Sequence, residues 1–103
     1  MNTQGWIRGL ISYNSPLDKY VDFILKTISK EFGLKVEALD NGDNFLFYIG
    51  NYKLDFSKEE LILLQKKGPY ALDKYILESL KEIGFEFSHN RSQYIEHCYG
   101  LIE

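Results

Sequence analysis

The sequence predicts an α+β domain in which an antiparallel sheet carries helices on one face. Three observations predict it. Two hairpin signals, Asn41-Gly42 and Gly50-Asn51, stand nine residues apart and delimit a three-stranded meander over about 34–56. An apolar stripe at helical spacing precedes them, in Leu17, Val21, Ile24, Ile28 and Phe32. A capping box, Ser57-Lys58-Glu59-Glu60, follows them and opens a second helical stretch.

Taken in order, residues 6–13 (WIRGLISY) are aromatic and β-branched and read as a strand, with Gly9 marking a bulge or a close contact. Ser15 is expected as an N-cap with Pro16 at the first helical position. The helix that follows runs to Gly33, its C-cap. Tyr20 and Leu25 flank its stripe, Lys19, Asp22, Lys26 and Lys30 lie outward, and Phe23 falls off the stripe.

In the meander, a type I′ turn at Asn41-Gly42 sets Asp40 against Asp43, Ala38 against Phe45 and Val36 against Phe47. A type II′ turn at Gly50-Asn51 sets Ile49 against Tyr52, Phe47 against Leu54 and Phe45 against Phe56. Side chains alternate along a strand. One face therefore carries Leu34, Val36, Ala38, Phe45, Phe47, Ile49, Tyr52, Leu54 and Phe56. The other carries Lys35, Glu37, Leu39, Leu46, Tyr48, Lys53 and Asp55.

The helix after Ser57 points Leu61 and Leu64 inward, with Ile62 or Leu63 sharing burial. Gly68-Pro69 ends it and starts a third helix over about 70–83 that buries Leu72, Ile76, Leu80 and Ile83. Gly84 closes that helix. Phe85-Glu86-Phe87 then reads as a short strand, 89–92 as a turn and 94–99 as a returning strand. The expected order is β-α-β-β-β-α-α-β-β, with two to three helices covering the face built from Val36, Phe47 and Leu54.

At 103 residues the chain is sized for a single α+β domain, residues 1–103, with one core. Its net charge is −3, spread over both halves, and ten of its twelve basic residues are Lys. No basic stripe marks a nucleic-acid footprint, and the scarcity of Arg works against bidentate phosphate or base recognition. The lone Cys98 allows no intrachain disulfide, which fits a reducing cytoplasm. The N-terminus has no basic start followed by an apolar run, and no stretch is long and apolar enough to span a membrane.

Chemistry-bearing motifs are sparse. Asp40-Asn41-Gly42-Asp43-Asn44 resembles a calcium loop in composition only, because the twelfth position counted from Asp40 is Asn51 and no Glu is there to bind bidentately. His89, Glu96, His97 and Cys98 are ligand types without the paired short spacing of a zinc site. On a strand, His97 and Cys98 would point to opposite faces, which also disfavours a nucleophile–base pair. Gly68-Pro69 has Lys67 where a helix-turn-helix places an apolar residue. There is no GxGxxG, P-loop or GxSxG. The expectation is no enzyme, no cofactor and no metal.

What remains is surface. Leu39, Leu46 and Tyr48 share the mixed face of the meander, with charges around them, and are the candidate partner-binding residues. The sequence thus fits a small cytoplasmic protein–protein interaction protein, an inhibitor, immunity factor or adaptor that works by occluding another protein's surface, as a monomer or homodimer. Its excess of Lys, Ile, Asn and Tyr over Arg and Ala fits an AT-rich coding source of the kind found in bacterial mobile elements or phage. The alternative is a nucleic-acid-associated regulator using Lys66, Lys67, Lys74 and Lys81, although Glu59, Glu60, Asp73, Glu78 and Glu82 share those helices.

Overall fold

A computed structural model describes residues 15–102. The described elements run α1 (Leu17–Phe32), β1 (Val36–Asn41), β2 (Asn44–Ile49), β3 (Tyr52–Ser57), α2 (Lys58–Lys67), α3 (Ala71–Glu82) and α4 (Gln93–Cys98). The class is α+β, and the sheet is an antiparallel meander of order β1-β2-β3. The chain forms two compact units: one spans Ser15–Leu63, and the described part of the other begins at Leu64.

In the first unit, α1 packs against β1. Its apolar stripe is buried at Tyr20, Val21, Ile24, Leu25 and Ile28, while Phe23 is exposed as its off-stripe position requires. Helix entry differs from expectation by one residue. Pro16 is itself the N-cap (φ −58°, ψ 152°), and its carbonyl accepts the Tyr20 N–H at 3.0 Å. Gly33 ends the helix at φ 68°, and the Gly33 and Leu34 N–H groups both donate to the Ser29 carbonyl.

The meander buries the face that alternation assigns to the core. Phe47 and Ile49 are fully buried, and Phe45, Leu54 and Phe56 nearly so, while Val36 and Ala38 are half-buried. Phe47 meets Phe56 edge-on, with ring centroids 5.4 Å apart. Each such burial contributes roughly 1.5–3 kcal/mol of transfer free energy.

The second hairpin has the expected register, Ile49 against Tyr52, Phe47 against Leu54 and Phe45 against Phe56. The first does not. Asn41 pairs with Asn44, Asp40 with Phe45, Ala38 with Phe47 and Val36 with Ile49. The loop is therefore Gly42-Asp43, two residues out of the expected pairing. Gly42 has φ 78°, while Asn41 and Asp43 keep negative φ. That pattern is type II′ rather than I′, and Gly50-Asn51, with Gly50 at φ 59°, repeats it. The Asp40 carboxylate supports the observed turn by accepting the Gly42 N–H at 3.0 Å and the Lys58 ammonium at 2.7 Å. A shift of two preserves which face each side chain occupies, so the face assignment survives the error.

Ser57 caps α2 as expected, its Oγ accepting the Glu60 N–H at 3.2 Å. Leu61 is fully buried and Leu64 half-buried. Neither Ile62 nor Leu63 shares that burial; both are exposed, and Gln65 is buried instead.

In the second unit, α3 buries Leu72, Ile76 and Leu80 as expected, together with Leu77 and Asp73. Ile83 is exposed, contrary to expectation, because the helix has already closed. The Phe85 N–H donates back to the Leu80 carbonyl at 3.0 Å across Gly84 at φ 108°, the bond of a Schellman terminus. The two C-terminal strands expected from sequence are also corrected. Residues 85–87 form no strand, and the span 94–99 falls mainly in the helix α4. Ser92 starts α4, its Oγ accepting the Ile95 N–H at 3.2 Å. The strand expected at 6–13 lies outside the described residues.

Candidate protein-binding face

Strand alternation builds the candidate face from three rows that run across the meander. Glu37, Tyr48 and Lys53 form one row, Leu39, Leu46 and Asp55 the next, and Asn41, Asn44 and Ser57 the third. Leu39 and Leu46 are direct cross-strand partners, and Tyr48 lies diagonally next to Leu39. Leu39 is 41% exposed, and Leu46 and Tyr48 are half-buried. The three residues singled out from sequence are therefore brought together on one face of the sheet, opposite the buried one.

The charges around them are held by specific contacts. Lys53 Nζ lies 5.9 Å from the centroid of the Tyr48 ring. Asn44 Nδ2 donates to Asp55 Oδ1 at 2.7 Å. A hollow of about 390 Å³, lined by Lys35, Val36, Glu37, Tyr48 and Gly50, opens beside Tyr48. Lys35, Glu37, Lys53 and Asp55 are all exposed, so an apolar centre sits within a charged rim.

At the turn end, Lys58 Nζ also lies 5.0 Å over the Phe45 ring. The Lys58 ammonium, then the Gly42 N–H, hold the Asp40 carboxyl below the usual carboxylate range. Asp40 and Asn44 thus spend polar groups on the turn and on Asp55.

The second unit places the other residues of interest. His89 stacks on Tyr99 with ring centroids 3.8 Å apart and planes 11° from parallel, and its Nε2 contacts Lys81 Nζ. His97 stacks on Tyr70 at 5.2 Å. Cys98 is buried and Glu96 half-buried. His97 and Cys98 sit on a helix, where neighbours diverge by about 100°, not on a strand as expected. Among the described residues, no three His, Cys, Asp or Glu side chains gather in a metal-binding arrangement.

Of the four lysines considered for nucleic acid, Lys66 and Lys67 are exposed. Lys74 Nζ lies 5.6 Å over the Tyr99 ring, and Lys81 Nζ lies 5.1 Å over Phe87 and 5.8 Å over Tyr99. Two of the four ammonium groups are thus directed at aromatic faces. Burial pushes the Tyr99 phenol above its usual range, with the Glu78 carboxylate adding to the shift. The Tyr99 hydroxyl is buried without a hydrogen bond of ordinary geometry.

Sequence reasoning missed two features of this unit. Tyr70 is the N-cap of α3 at φ 68°, a left-handed conformation that a bulky side chain rarely adopts. Its stack on His97 and its tilted contact with Tyr94 help to hold it there. Asp73 is fully buried and accepts the Tyr94 hydroxyl at 2.6 Å. Neither had a local signal, because each depends on a partner more than twenty residues away.

Among the described residues, no helix is long and apolar enough to cross a membrane. Comparison of the chain with protein-family models, with curated proteins and with solved structures finds no match.

Proposed function

We propose that this chain is a protein–protein interaction module that uses the open face of its meander, anchored by Leu39, Leu46 and Tyr48, to occlude a surface of another protein. An inhibitor, an immunity factor and an adaptor all work this way. The observation that supports this reading most directly is the cross-strand pairing of Leu39 with Leu46 on a solvent-facing sheet, with Tyr48 beside them. Transient interfaces have this anatomy, and a few aromatic or aliphatic anchors carry most of their energy. A reducing compartment such as the cytoplasm suits the reading, since the single cysteine, Cys98, is a buried thiol.

The test needs no partner at its first step. Leu46→Ala and Tyr48→Ala truncate side chains on an open face, so each should shift the unfolding free energy by no more than about 0.5 kcal/mol. A large fall in the melting temperature of either variant would mean that the face is covered, and would overturn the proposal. With a partner in hand, each truncation should weaken the complex by more than about 1 kcal/mol.

A further inference from the structure

We draw no further inference here: the strongest candidate, the sheet face that carries Leu39, Leu46 and Tyr48, belongs to the site already described, and nothing in the structure shows what covers it.

Discussion

Replacing Gly42 by valine should destabilise this protein, whereas replacing its neighbour Asn41 by valine should not. Gly42 sits at φ 78° with nothing within 4 Å of a built Cβ, so any cost there is conformational rather than a collision. A left-handed backbone costs an L-residue roughly 1–2 kcal/mol, and branching at Cβ adds to that. For a chain of this size, the loss corresponds to a fall of about 5–15 °C in melting temperature. Asn41 keeps negative φ and is a strand residue paired with Asn44. Valine suits a strand, so Asn41→Val should stay within about 0.5 kcal/mol of the parent. Asp43→Ala should do the same, because it is the Asp43 main-chain carbonyl that accepts the Lys58 N–H. Urea melts of the three variants give the comparison. A type I′ turn at Asn41-Gly42 would require positive φ at both of its residues. If Asn41→Val therefore costs as much as Gly42→Val, the Gly42-Asp43 loop and the register derived from it are refuted.

Gly50→Ala should cost more than Gly42→Ala, because the new Cβ would also meet Leu34 Cδ2 at 3.2 Å; the two urea midpoints check it. Ser92→Ala should cost about 1 kcal/mol and Ser92→Asp much less, since α4 has only six residues and depends on its cap; the melting temperatures and the exchange rate of the Ile95 amide report it. Asp40 has a lowered pKa in the folded state, so its contribution is present above the unfolded value of about 3.9 and is lost as pH falls through the folded value. Lys58→Met should raise the Asp40 carboxyl titration followed by NMR and leave the neutral-pH melt little changed, because Asp40 is exposed and water screens the pair.

The parts of the fold that were legible in the sequence are those fixed by local physics. The stripe from Val21 to Ile28 needs only the helical period, the Ser57 cap only a hydroxyl three residues before an amide, and the core face of the meander only alternation. The misses have the opposite character. The six residues of α4 are too few for the helical period to be distinguished from a strand, and two of them, Tyr94 and Ile95, favour strands. The one local cue was Ser92, which reads equally well as a turn residue. Ile83 is exposed because the Schellman bond from Phe85 ends the helix before the periodicity reaches it. Asp73 looks like a solvated acid in the first turn of α3, yet it is buried and accepts the Tyr94 hydroxyl, twenty-one residues on.

That Leu39, Leu46 and Tyr48 share a face was legible in the sequence, but their cross-strand pairing was not, and the reason lies in the first turn. Parity along a strand assigns Leu39, Leu46 and Tyr48 to one face whether the hairpin closes at Asn41-Gly42 or at Gly42-Asp43. Pairing depends on which of these it is. Closure at Asn41-Gly42 would set Leu39 against Asn44 and Leu46 against Glu37, placing a polar group opposite each leucine. Closure at Gly42-Asp43 sets leucine against leucine and moves Glu37 beside Tyr48. The choice is made on the turn, where the Asp40 carboxylate holds both the Gly42 N–H and the Lys58 ammonium and so carries β1 one residue further. A two-residue slip leaves the buried face with the same side chains, so the core alone discriminates weakly between the two closures. The other face discriminates more, because only the observed closure sets Leu39 directly opposite Leu46. Turn chemistry at Gly42, remote from Tyr48, therefore sets which side chains of this face stand opposite one another.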